Sequence, residues 1–365
     1  MSLITPTTSA TTNPHRRRPP AIVIALGAAI IVGLIVSAFA WPAATAKPHD
    51  LPVGILGPTE AVDAVESVLA EQDPAPLKLT AVADREAAIT DIKTRQLYGA
   101  ILLGDKPEIL IASAAGAAPA QALRAIATQL QAQIDSKALG AVTEQLTAIM
   151  TALTSGKAPA LPTGQTASGA EIPTVTVTDV APLVESDRLG AGLSSMVLPL
   201  VLGGLLGGAL ISQLVSGRVR RIIAIVIFAV GAAAGVVGVM QSWLGLIGGQ
   251  WLLNAGVVAL GIGATTSFVV GCAALFGLAG LPLAALVTLL LANPISGAAM
   301  PPEFLPTPWG SVGQAFVPGA ASTLLRSAVY FPSAATWTQW LTLSAWALGG
   351  MALLLLGRHG NSAKR

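Results

Sequence analysis

The chain has 365 residues, 53% hydrophobic and 10% charged, with a formal net charge of +2 and a mean hydropathy of +0.71. Soluble domains carry about 25% charged residues, so these values exclude an ordinary water-soluble protein and imply an integral membrane protein. The one cysteine, Cys272, lies in an apolar run, which excludes an intramolecular disulfide and a cysteine-based metal site.

Residues 1–20 form a polar tail ending in Arg16, Arg17 and Arg18. An apolar run over 21–41 follows and is long enough to span a bilayer. Its Arg-rich start and Ala38-Phe39-Ala40 also resemble a cleavable signal peptide. The run of about 20 residues exceeds the usual apolar core of such signals, so a retained anchor is the reading adopted.

Residues 42–190 hold 10 Lys/Arg and 17 Asp/Glu and have the size of a soluble domain. Leu51–Gly57 reads as a buried strand ending in a turn. Thr59 to Gln72 reads as a helix with Thr59 as N-cap and Val62, Val65 and Ala70 on its apolar face. Leu77–Val82 is a strand and Asp84–Gln96 a helix. Tyr98–Leu103 and Glu108–Ile111 are strands joined by a turn at Gly104-Asp-Lys-Pro107. This β-α-β-α-β-β order predicts a small α/β sandwich.

A long helix follows from about Pro119 to Leu153. Its stripe of Leu123, Ile126, Leu130, Ile134, Val142, Leu146, Ile149 and Leu153 must pack against something, whether its own sheet, a neighbouring helix, or a dimer or partner contact. Ser155 to Pro173 reads as a flexible linker, and Thr174–Thr178 as a strand leading back to the membrane.

From Gly190 to Gly357 the ionisable residues, apart from Tyr330 and Cys272, are Arg218, Arg220, Arg221, Glu303 and Arg326. Apolar runs at 191–215, 222–243, 251–275, 280–299 and 338–357 predict five more spans. Nine Lys/Arg flank one side of the spans: Arg16, Arg17, Arg18, Arg218, Arg220, Arg221, Arg358, Lys364 and Arg365. Arg326 stands alone in the opposite short loops, so both termini are expected to be cytoplasmic. The expected fold is an α-helical integral membrane protein of about six transmembrane helices, one plus five, with an extracytoplasmic α/β domain inserted between helices 1 and 2.

No Gly-rich loop of the ATP-binding pattern G-x-x-x-x-G-K-[ST] is present, because Gly156-Lys157 is followed by Ala158. No Asp, Glu or His lies in a span to relay protons. His15, His49 and His359 lie in tails and a linker. No catalytic residue, cofactor or metal site is therefore expected, nor any nucleic-acid partner. Gln213, Gln241, Asn254 and Asn293 are candidates to line a substrate path; the alternative is hydrogen bonding between helices. Glycines four apart, such as Gly203/Gly207 and Gly231/Gly235, permit close helix contact.

Asp84-Arg-Glu-Ala-Ala-Ile through Tyr98-Gly-Ala-Ile-Leu-Leu resembles the outer domain of ABC-2 type permeases and the related YhgE/Pip membrane proteins. Asn293-Pro-Ile-Ser-Gly297, Met300-Pro-Pro-Glu-Phe-Leu-Pro306 and Gln314-Ala-Phe-Val-Pro-Gly319 resemble the outer loop of that family. The resemblance implies a permease subunit that exports an amphipathic or lipid-like substrate. Its implied partners are a separate ABC ATPase, a second copy or a second permease, and membrane lipid, in the plasma membrane of a bacterium. ATPase coupling would fall on Arg218, Arg220 and Arg221, with a coupling helix running through Val215 to Arg221. The outer exit would fall on Pro301, Glu303, Pro306, Pro318 and Arg326, with Glu303 and Arg326 as a possible pair. Trp309, Phe316, Trp337 and Trp340 suit a membrane–water interface. The alternative the family offers is a non-transporting scaffold or secretion accessory whose outer domain binds a cell-surface partner.

Overall fold

A computed structural model describes residues 21–70, 76–155, 172–188 and 190–357. Both charged tails, 1–20 and 358–365, and nearly all of the expected linker lie outside the described residues.

The first helix, α1, spans Ala21–Thr45. The segment after it folds as expected from its alternation of strands and helices. Strands β1 (Leu51–Leu56), β2 (Leu77–Ala81), β3 (Gly99–Leu102), β4 (Glu108–Ile111) and β5 (Thr176–Asp179) form one sheet in the order β2-β1-β3-β4-β5. Helix α2 (Thr59–Ala70) connects β1 to its parallel neighbour β2, and α3 (Arg85–Lys93) connects β2 to β3. The short turn after Leu102 makes β3 and β4 antiparallel, and β5 returns parallel to β4. All four residues of β3 are buried, as befits a central strand covered on both faces. Asp84 caps α3, its Oδ1 accepting from the Ala87 N–H at 2.7 Å. Thr59 is the first residue of α2 rather than its cap, since the Pro58 carbonyl already accepts from Ala61 and Val62.

Helix α4 (Ala117–Thr154) has 38 residues, about 57 Å of helix at 1.5 Å per residue. Only its first part lies on the sheet, through Pro119, Ala120, Leu123 and Ala127. A Cβ on Gly99 would sit 2.3 Å from Leu123 Cδ1, so the bare glycine is what lets α4 approach β3. Beyond Ile134 most of the apolar stripe is uncovered: Val142 is 61% exposed and Leu146 62%, with Ile149 half-buried. Of the partners the sequence leaves open for the stripe, the sheet covers its start alone.

Six spans are expected from the sequence, and four helices are long and apolar enough to cross a membrane: α5 (Ala191–Leu214), α6 with its continuation (Arg218–Trp243), α7 (Trp251–Phe276) and α11 (Trp337–Leu356). Val32–Pro42 within α1 and Gly280–Ala292 are shorter apolar helical stretches. The protein is thus a helical one with the character of a membrane protein. Helix α7 is the hub, packed by α5, α6, α10 (Val317–Tyr330) and α11, with 67% of its most apolar stretch inside the protein. The glycines that permit its close contact with α5 are Gly204 and Gly208, set against Thr265 and Val269. Gly207 lies against Phe228, while Gly203, Gly231 and Gly235 face open space. The glycine pairs singled out in the sequence are therefore not the contact pair.

The expected helix over 280–299 does not form as one piece. Helix α8 (Gly280–Ala285) continues with a wider turn as far as Ala292 and stops. Pro294 cannot supply a helical N–H, and Gly297 adopts φ +68°. Two short helices follow, α9 (Trp309–Gln314) and α10 (Val317–Tyr330).

Candidate functional site: the junction of sheet and bundle

The sheet lies against one end of the bundle, where α5, α7 and α11 begin. Phe304 and Phe331, from the segment after α8, are buried in the sheet's own core. The backbone N–H groups of Lys47 and His49 donate to Phe304 and Glu303, tying the end of α1 to the same segment.

From this end α9 and α10 enter the bundle as a helical hairpin. Trp309, at the start of α9, stacks edge-on against Trp41 with ring centroids 6.1 Å apart. The turn at Ala315–Phe316 reaches the middle of α11, where Trp346 Nε1 donates to the Ala315 carbonyl at 2.8 Å. Phe316 and Phe268 both pack on Trp346, at 5.7 and 5.0 Å. Phe316 therefore lies half-buried beside the middle of α11 and not beside Trp309 and Trp337, as the interface reading of its sequence expects. Gly313 makes the descent possible: a Cβ there would lie 1.7 Å from the Ile295 carbonyl oxygen.

A chain of hydrogen bonds joins the sheet to this hairpin. Arg95, at the end of α3 with φ +62°, donates through Nη1 to the Thr323 carbonyl and to Ser327 Oγ on α10. Thr323 Oγ1 donates to Gln314 Oε1, and Gln314 Nε2 donates to the Ser296 carbonyl. The Arg95 guanidinium also lies 5.5 Å over the Phe331 ring. Ser296 and Gln314 appear in the sequence only within the outer-loop motifs, while Arg95, Thr323 and Ser327 stand there as ordinary polar residues.

The pairing that the sequence allowed between Glu303 and Arg326 does not form. Glu303 Oε2 accepts from the Tyr98 hydroxyl at 2.7 Å. Burial, and then the Glu303 charge, push the Tyr98 phenol far above its ordinary value, so it stays neutral and donates. Arg326 is buried and donates through Nη1 to the Ala115 carbonyl at 2.7 Å and through Nη2 to the Ala298 carbonyl at 3.3 Å. The prolines of the expected exit have structural places. Pro301 packs against Gly116, the Pro306 carbonyl accepts from Trp309, and Pro318 is buried in the first turn of α10.

The candidate path residues do not converge. Asn254 Nδ2 donates to Gln241 Oε1 and to the Gly248 carbonyl, and Gln241 Nε2 donates to Gly249, so this pair ties α7 to the turn before it. Gln213 is exposed at the far end of α5. Asn293 borders a groove of about 200 Å³ beside α1 and α5. The void between α5, α7 and α10 measures about 20 Å³, room for about one water.

At the end away from the sheet, Arg218, Arg220 and Arg221 lie in the first turn of α6 and not in a loop. No coupling helix runs through Val215, which is extended (φ −104°, ψ 123°). Arg218 Nη2 donates to the Gly357 carbonyl, and Arg221 donates to Val215 and Ser212, satisfying the open ends of α11 and α5. Arg220 is exposed. No protein-family model, curated protein or solved structure matches the chain.

Proposed function

We propose that this chain is the permease subunit of an ABC-2-like exporter, moving an amphipathic or lipid-like substrate outward with energy from a separate ATPase. The observation that carries this reading is the broken helix at Ala292 with the α9–α10 hairpin filling the bundle beside it. Irregular backbone at bilayer depth is tolerated only where protein buries it or a cavity is lined by it. Interrupted helices of this kind sit at substrate sites in transporters. The closed void beside the hairpin would open by hairpin movement, and the Arg95 linkage supports a role for the sheet in that movement.

The arginines of α6 cluster with the end of α11, away from the mildly acidic sheet domain. This distribution supports a cytoplasmic arginine end and an extracytoplasmic domain in a bacterial plasma membrane. In that frame α1 and the 280–292 segment complete the six spans, the latter as a half-span continued by residues 293–300. Exposed Arg220 is the ATPase contact. Cross-linking in native membranes followed by mass spectrometry tests the reading. The native chain should bring down a soluble ATP-binding protein, and Arg220→Glu should lose it while still inserting. Recovery of no ATPase by the native chain would defeat the proposal.

The scaffold reading has one observation in its favour, the uncovered stripe of α4 at Leu139, Val142, Leu146 and Leu153. It requires a membrane or surface protein to be captured through α4, and Leu146→Asp to abolish that capture. Capture that survives the substitution counts against it.

A further inference from the structure

At the junction a cavity of about 220 Å³ lies between the Ser113–Ala117 turn, the start of α5, Ala299 and Arg326. Two opposite charges line it, and both are buried: Arg326 is 9% exposed and Asp187 7%. They do not pair; the ion pairs among the described residues are those of Arg85. Each charge is held in place by neutral backbone. Asp187 accepts from the Ala191 N–H at 2.9 Å and the Gly192 N–H at 2.7 Å. Arg326 uses two N–H groups on the Ala115 and Ala298 carbonyls and has three more to give. Buried charges are ordinarily matched by an opposite charge, and here a cavity separates two that have none.

We propose that this cavity binds a zwitterionic head group, one phosphate or carboxylate joined to one ammonium. The anionic end takes the free guanidinium donors of Arg326, whose planar fork suits a two-point contact. The ammonium end takes the remaining lone pairs of Asp187. A simple anion is repelled by Asp187 and a simple cation by Arg326, whereas a zwitterion meets both. Ser194 and Ala299 of the same wall also line the groove of about 200 Å³ beside α1 and α5, so an attached hydrocarbon chain has an apolar surface next to the head group. Binding requires no ATPase, so the inference stands or falls apart from the exporter reading.

The test uses the full chain in nanodiscs and native mass spectrometry, with phosphatidylethanolamine and phosphatidylglycerol as probes. Thermal stabilisation by soluble O-phosphoethanolamine runs in parallel. Phosphatidylethanolamine should be retained in preference to phosphatidylglycerol, and Arg326→Gln should weaken retention about tenfold or more, the worth of one charge-assisted contact. Ala299→Phe, at an exposed position on the wall, should do the same by filling the space with both charges left in place. Stabilisation by O-phosphoethanolamine equal to that by the lipid identifies a small solute as the natural ligand; stabilisation by lipid alone identifies the head group. Equal retention of the two lipids, preference for phosphatidylglycerol, or undiminished binding by Ala299→Phe overturns the proposal.

Discussion

Arg95 Nη1 reaches Ser327 Oγ across 2.7 Å, joining residues 232 positions apart. One side chain at the end of α3 thereby holds α10, and Thr323 and Gln314 carry the connection to the break after α8.

Arg95→Ala should therefore loosen the hairpin before it loosens the sheet. Loss of charge-assisted bonds of this kind costs about 1.5–3 kcal/mol. Amide hydrogen exchange should accelerate over 309–330, with little change in β1 and β3. Unchanged protection of α10 would show that the sheet does not hold it.

Gly313 and Gly231 should respond in opposite senses to alanine. A methyl group at 313 collides with the Ile295 carbonyl, and overpacking of that severity costs about 1–3 kcal/mol or more. A methyl group at 231 meets nothing within 4 Å and should stabilise α6 by about 0.5–1 kcal/mol through helix propensity. Thermal unfolding of the two variants in one detergent decides it; a tolerated Gly313→Ala would refute the close approach of α9 to the segment after α8.

The arginines of α6 should separate by role. Arg221→Ala leaves the Ser212 and Val215 carbonyls unmatched and should destabilise the chain by about 1–3 kcal/mol. Arg220→Ala should fall within about 0.5 kcal/mol of the native chain, as surface substitutions do. Equal losses in the two would remove the distinction between a helix-end arginine and a free one.

Acid should weaken the outer strands through Glu108. The Arg85 guanidinium hydrogen-bonded to it, helped by Thr178, holds its carboxyl below the usual range. A depressed folded value means that the contribution is present above the unfolded value, about 4.3. It is lost as pH falls through the lower folded value. Unfolding temperature followed from neutral pH downward should show this loss, and Glu108→Gln should be less stable at neutral pH with a shallower acid slope. An identical slope in the variant would assign the acid effect to other carboxylates.

The strands, their helices and the apolar spans were legible because their signals are local. Alternation, a capping Asp84 and runs without charge act over a few residues. The half-helix after Gly280 was hidden because its residues are as apolar as those of a full span, and Pro294 reads equally well as a loop or a helix end. The stripe of α4 was read correctly as apolar, but sequence periodicity does not say how far the sheet extends beneath it. Among the candidate site residues, Arg326 and Glu303 stand out in the sequence as rare charges. Their partners, the Ala115 carbonyl and Tyr98, lie about 200 positions away and carry no signal of their own.

The sequence by itself determined the membrane character of the bundle, the presence of its long apolar helices and the clustering of Arg218, Arg220 and Arg221 in one short stretch. These follow from the free energy of transferring side chains out of water, which is a sum over residues. Only the tertiary structure decided that Glu303 meets Tyr98, that Asn254 meets Gln241, and that Arg326 and Asp187 face one cavity unpaired. Such pairings depend on distances set by packing, and hydrogen bonds and ion pairs fail within an ångström or two of misplacement.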